Sequence, residues 1–93
     1  MRRRAYSYIR SDVAGIHVQR CEMAARAWAK DHGYDLARTI IDTPDELGVR
    51  QLFALLGRNP DAVVLLPSLE HVPDAASAAV VDRRVVLLDG VGV

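Results

Sequence analysis

The stretch AVVLLPSLEH (62–71) decides the fold, because it opens with five consecutive apolar residues. A strand with one solvated face alternates apolar and polar residues, whereas a strand covered on both faces has a continuous apolar run, as in a parallel sheet between helices. Pro67 and Ser68 end the run, and a polar segment follows. The stretch therefore predicts a buried parallel strand over 62–66 with a polar loop at its carboxyl end.

Three segments before this strand have the patterns of a strand, a helix and a second strand. RAYSYI (4–9), rich in Tyr and Ile, predicts the first strand. From Gly15 to His32 an apolar stripe recurs at helical spacing, and Gly33 is a natural stop. The members of the stripe are Val18, Cys21, Ala25 and Trp28. YDLARTII (34–41) alternates and predicts the second strand.

A second helix is predicted to begin at TPDE (43–46), where Thr43 can cap, Pro44 suits the first turn and Glu46 can complete a capping box. Its apolar positions are Val49, Leu52, Phe53 and Leu56, and Gly57 ends it. DAASAAVV (74–81) predicts a short helix, and RVVLL (84–88) predicts the last strand. The order β-α-β-α-β-α-β predicts an α/β fold: a small, doubly wound, mainly parallel four-stranded sheet in a flavodoxin-like three-layer arrangement.

Composition limits the range of functions. With 93 residues we expect one α/β domain over 1–93 and no separate DNA-binding domain. Twelve basic residues balance twelve acidic ones, so no global field attracts nucleic acid. Cys21, the only cysteine, allows no internal disulfide and is expected to pack as a small hydrophobe in a reducing compartment. Because no apolar run is long enough to span a membrane, we expect a cytoplasmic protein with no membrane partner.

Polar residues follow each predicted strand, at the sheet edge where open parallel sheets place their sites. They are Arg10, Ser11 and Asp12, then Asp42 and Thr43, then Ser68, Glu70 and His71, and finally Asp89. The sequence contains no G-x-G-x-x-G and no P-loop, and its three histidines lack metal-ligand spacing. We therefore expect no cofactor and no metal.

Four segments carry a family resemblance. They are AYSYIRSD (5–12), VQRCEMAARAWAKDHGYDL (18–36), VRQLFALL (49–56) and DAVVLLPSLEHV (61–72). In this order they resemble the catalytic domain of the serine recombinases, the resolvases and invertases of site-specific DNA recombination. The similarity extends roughly from Ala5 to Leu88. It implies a resolvase-like fold in which a serine attacks a DNA phosphodiester while guanidinium groups stabilise the charge on the non-bridging oxygens.

The resemblance assigns candidate site residues on the two helices and after the third strand. The family has a glutamine on the first helix, which Gln19 matches, and an arginine before paired leucines on the second helix, which Arg50 matches. Glu70 replaces the family's aspartate after the third strand. His71 and Asp74 stand where the family has arginines.

The serine itself admits two alignments, because the family's first strand ends in Tyr-x-Arg-x-Ser. Without gaps, Tyr8 falls on the arginine position and Arg10 on the serine position. If one residue is missing after Arg10, Arg10 becomes the arginine and Ser11 the nucleophile. Both alignments remain open at the level of sequence.

The two replaced arginines predict a loss of catalysis. Losing one donor to a transition-state oxyanion typically costs about 10²–10³ in rate, and the negative charge of Asp74 repels a phosphate. The family's long helix after the fourth strand is also expected to be absent. We therefore predict a catalytically inactive domain with a role related to DNA recombination or to protein interaction. Its expected partner is a second copy or another recombinase-like protein, and DNA binding is expected to be weak.

Two alternatives come from other classes. One is a minimal active enzyme with Ser11 as nucleophile, assisted by Arg10, Arg50 and Glu70. The other is a small-molecule or nucleotide-binding α/β module. The same residues also have purely structural interpretations: Ser11 as a helix N-cap or turn residue, and Glu70 and His71 as a solvated loop pair.

Overall fold

In the computed structural model of the protein, the described residues are 3–43, 47–68, 71 and 84–88. The strands are β1 (Arg4–Arg10), β2 (Asp35–Asp42), β3 (Val63–Leu66) and β4 (Arg84–Leu87). The helices are α1 (Ser11–Ala14), α2 (Val18–Asp31) and α3 (Leu47–Arg58), with a 3₁₀ turn (Gly15–His17) between α1 and α2. The helix predicted over 74–81 lies outside the described residues.

The four strands form one parallel sheet in the order β2-β1-β3-β4. This confirms the predicted small α/β fold with a parallel four-stranded sheet. From β1 the chain moves to one side to form β2 and then returns past β1 to form β3. Because such crossovers are right-handed, the connecting helices α2 and α3 lie on opposite faces of the sheet.

Each face of the sheet has its own core. On one face Tyr6 and Tyr8 of β1 pack with Leu52 and Leu56 of α3. On the other face Ala5 of β1 packs with α2 and β3. All four residues of β3 are buried, as the continuous apolar run predicts. None of the helices in the described segments is long and apolar enough to cross a bilayer.

Helix α2 lies close to the sheet because its buried side is made of small residues, namely Cys21, Ala25 and Ala29. Cys21 is fully buried, in agreement with its predicted packing as a small hydrophobe. Its thiol pKa is raised by burial. Trp28 packs against the core that contains Ala5 and Ala25, and its ring stacks on His32, with ring centroids 4.2 Å apart.

The predicted helix over 15–32 is wrong at its beginning. Ser11–Ala14 already form α1, and the chain then turns at Gly15, whose φ of +57° lies in the left-handed region that favours glycine. The 3₁₀ turn follows, and α2 begins only at Val18. A helix of four residues is too short to show an apolar period, so the sequence pattern did not reveal it.

Strand β2 contains a β-bulge that the alternating pattern did not predict. Ala5 of β1 pairs with Leu36, and the next residue of β1 pairs with Arg38, so Ala37 is the extra residue. Leu36 therefore lies on the α2 face, where it packs with Ala5 and Trp28. Ile40, after the bulge, lies on the α3 face. The bulge thus decides which face the end of β2 presents.

Candidate active site

The polar ends of β1 and β2 meet at the carboxyl edge of the sheet. Arg10, the last residue of β1, pairs in register with Asp42, the last residue of β2. Ser11 follows at the beginning of α1, and His71 reaches the same edge from the segment after β3. The structure therefore brings together Arg10, Ser11, Asp42 and His71.

Asp42 is the centre of this cluster and is only 3% exposed. Its Oδ1 accepts hydrogen bonds from the amides of Thr43 (2.8 Å) and Gly48 (2.9 Å). Its Oδ2 accepts from the Tyr8 hydroxyl (2.5 Å) and the Val49 amide (3.0 Å). A carboxylate that takes the first amides of a helix satisfies donors without intrahelical partners and interacts favourably with the helix dipole. Asp42 therefore caps α3 from the neighbouring strand.

The environment of Asp42 acts on its pKa in two opposing directions. Burial raises the pKa, whereas the hydrogen bonds from Tyr8 and from the amides of Gly48, Thr43 and Val49 lower it. The hydrogen bonds outweigh burial, so the pKa lies below its usual value. Asp42 is consequently a buried carboxylate that stays ionised at neutral pH.

Asp42 also requires a glycine at the beginning of α3. A Cβ on Gly48 would lie 2.7 Å from Asp42 Cγ and 2.8 Å from Ile40 Cγ2. Only a residue without a side chain allows α3 to approach β2 so closely. The predicted cap, Thr43 with Glu46, falls partly outside the described residues, and the amides of Gly48 and Val49 bond to Asp42.

The Ser11 hydroxyl donates a hydrogen bond to the main-chain carbonyl of Asp42 at 2.9 Å. Ser11 is the first residue of α1, and Arg10 occupies the N-cap position. Ser11 is therefore not the N-cap itself, although it does lie at a helix N-terminus. Its hydroxyl ties α1 to the end of β2.

The Arg10 guanidinium is held by its near neighbour Asp12. Arg10 Nε bonds to Asp12 Oδ1 and Arg10 Nη2 bonds to Asp12 Oδ2, each at 2.9 Å. This fork-to-carboxylate geometry is the strong bidentate form of the ion pair. The hydrogen bonds from Arg10 lower the pKa of Asp12.

His71 is buried, with 3% of its surface exposed, and its Nδ1 accepts the main-chain N–H of Arg10 at 2.8 Å. An accepting Nδ1 carries no proton, so the imidazole in this arrangement is neutral with its proton on Nε2. The interpretation of His71 as half of a solvated loop pair is therefore wrong. Glu70 and Asp74 lie outside the described residues.

Within the described residues, neither Gln19 nor Arg50 forms a hydrogen bond or an ion pair with this cluster. Both are exposed, Gln19 on α2 and Arg50 on α3, and these helices cover opposite faces of the sheet. Among the described residues no hydrogen bond or ion pair joins either side chain to Ser11. Of the predicted site residues that the structure describes, Arg10, Ser11 and His71 therefore meet at the carboxyl edge.

The sequence pattern places Asp42 at a strand end without a role, and it gives Tyr8 only an alignment position. The available signal was an acid placed immediately before a helix-start pattern. Within the described residues no group of three or more His, Cys, Asp or Glu side chains could hold a metal ion.

No protein-family model, curated protein or solved structure matches this chain. The functional interpretation therefore depends on the geometry of the carboxyl edge.

Proposed function

We propose that this chain is a serine-recombinase-like, resolvase-type domain that has lost catalysis and acts through interaction with other proteins in a process related to DNA recombination. One observation carries the loss of catalysis: at the carboxyl edge, the Ser11 hydroxyl donates to a main-chain carbonyl and the Arg10 guanidinium bonds to Asp12. Both groups that the resemblance assigns to chemistry are engaged in structural contacts.

The contacts of Ser11 do not activate it as a nucleophile. A serine hydroxyl needs a general base and nearby positive charge before it attacks a phosphodiester. A main-chain carbonyl accepts a hydrogen bond but takes no proton. Asp42, which supplies this carbonyl, also has a carboxylate, but four donors already satisfy that carboxylate and its negative charge opposes an incoming phosphate.

His71 does not replace the arginine of the family at this edge. Its Nδ1 lone pair accepts a main-chain N–H, which requires the neutral imidazole. A neutral ring contributes no positive charge to a transition state whose non-bridging oxygens carry negative charge. The site therefore lacks, at this position, the electrostatic stabilisation that the chemistry requires.

The catalytic part of the proposal is tested with supercoiled plasmid and with end-labelled duplex DNA. We expect neither nicking nor a covalent protein–DNA adduct with the wild-type chain. Nicking or an adduct that disappears in Ser11→Ala and persists in Ser68→Ala would overturn the proposal and support the minimal-enzyme alternative. Ser68 is a suitable control because it also follows a strand at this edge.

An exposed apolar surface supports the interaction role. On the 3₁₀ turn and α2, Ile16 is 93% exposed and Met23 62% exposed, and both side chains line one open pocket. Because large apolar residues grouped on one surface often mark protein contacts, this surface favours a second copy or another recombinase-like protein as partner. Sedimentation velocity of the wild type and of the Ile16→Gln, Met23→Gln double variant tests this, with Ala27→Gln on the same helix as control. A wild-type chain that stays monomeric at all concentrations contradicts self-association.

The nucleotide-binding alternative finds less support. In such modules a ligand phosphate commonly occupies a helix N-terminus, where main-chain amides point at it. In this chain the amides of Gly48 and Val49 at the beginning of α3 bond to Asp42 instead. Thermal-shift measurements with nucleotides are expected to show no stabilisation.

A further inference from the structure

A group of arginines lies at the amino end of the sheet, the edge opposite to the candidate active site. Arg3 and Arg4, at the beginning of β1, line an open pocket of about 360 Å³ together with Arg58, the last residue of α3. The remaining lining residues are Asn59, Pro60, Asp61 and Ala62. Arg58 is more than fifty positions from Arg3 and Arg4 in the sequence, so only the fold reveals this arginine cluster of Arg3, Arg4 and Arg58.

The three guanidinium groups are available to a ligand. Arg3, Arg4 and Arg58 are all exposed, and none of them forms an ion pair within the described part of the chain. Among the described residues on the pocket wall Asp61 is the one carboxylate, so positive charge predominates among them. The chain as a whole has a net charge of zero, and the arginine cluster is therefore a local concentration of charge.

The main chain that carries the arginine cluster is fixed by hydrogen bonds. The Arg3 carbonyl accepts the Asp35 amide at 2.8 Å, which holds the beginning of β1 to β2. The Asn59 side-chain amide donates to the Tyr6 hydroxyl (2.8 Å) and to the Leu55 carbonyl (3.0 Å), which ties the end of α3 to β1. The two backbone segments that present the arginines therefore keep a defined separation.

We propose that the arginine cluster binds the phosphate backbone of nucleic acid. Guanidinium forks match phosphate oxygens in bidentate geometry, which a compact ammonium does not. Exposed guanidinium groups hold a single phosphate ion weakly in water, because the high dielectric constant and salt screen the attraction. A polyanion gains more, since each neutralised phosphate also releases condensed counterions. This inference does not depend on the recombinase proposal, because it concerns the other edge of the sheet and requires no catalysis.

The test is fluorescence anisotropy of a labelled 20-nucleotide single strand and of the matching duplex at 20–200 mM NaCl. The cluster variant is Arg3→Gln, Arg4→Gln, Arg58→Gln. The matched control, Arg20→Gln, Arg26→Gln, Lys30→Gln, removes the same number of positive charges from exposed positions of α2. Because all three arginines are exposed, we expect the cluster variant to keep the wild-type circular dichroism spectrum. Arg58→Gln alone is a second, milder variant.

We expect the wild type to bind saturably at the lowest salt concentration and the cluster variant to bind at least about tenfold more weakly. The slope of log K against log [NaCl] should fall by about 2 on the single strand, since each lost phosphate contact removes about 0.7. The control should stay within about threefold of the wild type and Arg58→Gln should lie between the two.

Several results would overturn the proposal. These are no saturable wild-type binding at 20 mM NaCl, an unchanged cluster variant, or an equal loss in the control, which would indicate a net-charge effect. Inorganic phosphate is tested as a competitor, with chloride at equal ionic strength as the control. Displacement of the oligonucleotide by millimolar phosphate would identify a small-ion site and would contradict the proposal. Poly-glutamate that binds as tightly as the oligonucleotide indicates an acidic protein as the ligand, and this outcome also contradicts the assignment.

Discussion

Replacing Asp42 by alanine is the sharpest test of the carboxyl edge, because this one side chain accepts four hydrogen bonds. Two consequences follow from its removal. The amides of Gly48 and Val49 at the beginning of α3 lose their acceptor, and so does the fully buried hydroxyl of Tyr8. We therefore expect both the helix N-terminus and the β1–β2 contact to weaken in Asp42→Ala.

The magnitude follows from these two losses. Loss of a helix cap costs about 0.5–2 kcal/mol, and loss of a hydrogen bond to a charged group costs about 1.5–3 kcal/mol. The losses share one carboxylate and are not additive, so we expect a decrease of about 3 kcal/mol in the free energy of unfolding. A chain of this length is typically stable by about 5–14 kcal/mol, so the variant should still fold. Its melting temperature should fall by about 12–24 °C.

Urea denaturation of the wild type, Asp42→Ala, Tyr8→Phe and the double variant measures this effect. The double-mutant cycle isolates the contact between Tyr8 and Asp42, for which we expect a coupling energy of about 1 kcal/mol or more. Asp31→Asn, an exposed carboxylate at the end of α2, controls for loss of one negative charge. A loss below about 1 kcal/mol in Asp42→Ala, together with no coupling to Tyr8, would refute the assignment of Asp42 as the cap.

Acid should remove the same contribution without any substitution. The folded pKa of Asp42 is depressed, because its hydrogen bonds outweigh burial. The stabilisation is therefore complete above the unfolded pKa, about 3.9, and is lost as the pH falls through the folded pKa. The difference in unfolding free energy between the wild type and Asp42→Asn should accordingly be larger at pH 7 than at pH 3. An equal difference at both pH values contradicts the depressed pKa.

Three further predictions concern single substitutions. Gly48→Ala should destabilise by about 1–3 kcal/mol, because its Cβ would lie 2.7 Å from Asp42 Cγ; a urea midpoint equal to the wild type contradicts the close approach. Ser7→Ala should raise the free energy of unfolding by about 1 kcal/mol, because the fully buried Ser7 hydroxyl has no hydrogen-bond partner within the described residues; a lower melting temperature argues against this. His71→Ala should destabilise by about 1–3 kcal/mol, because the N–H at the end of β1 loses its acceptor, and His71→Asn, which offers a replacement acceptor, should recover part of the loss.

The parts of the fold that the sequence predicted correctly are those with long periodic signals. The continuous apolar run over 62–66 predicted a strand buried on both faces, and β3 is buried at every position. The stripe that contains Cys21 and Ala25 predicted α2, whose buried side consists of those residues and Ala29. Such patterns are readable because each repeats the same burial requirement several times.

The parts that the sequence did not predict depend on contacts between distant residues. Tyr8 and Asp42 are 34 positions apart, and Arg10 and His71 are 61 positions apart. No local sequence pattern predicts that a histidine after β3 accepts a hydrogen bond from the main-chain N–H at the end of β1. The carboxyl edge could therefore be located from the sequence, because strand ends gather there, whereas the partners of its residues required the tertiary structure.

The part of β2 that follows the bulge determines on which face of the sheet the Asp42 side chain lies. In a strand each position alternates between the two faces, so removing one residue exchanges the faces of everything beyond it. Deleting Thr39, which lies in the regular ladder after the bulge, would turn the carboxylate of Asp42 away from α3 and leave that helix without its N-terminal acceptor. Deleting Ala37, which has no partner on β1, would instead remove the bulge and keep Asp42 on the α3 side. The number of residues between the bulge and Asp42 is therefore as much a determinant of this edge as the identity of its side chains.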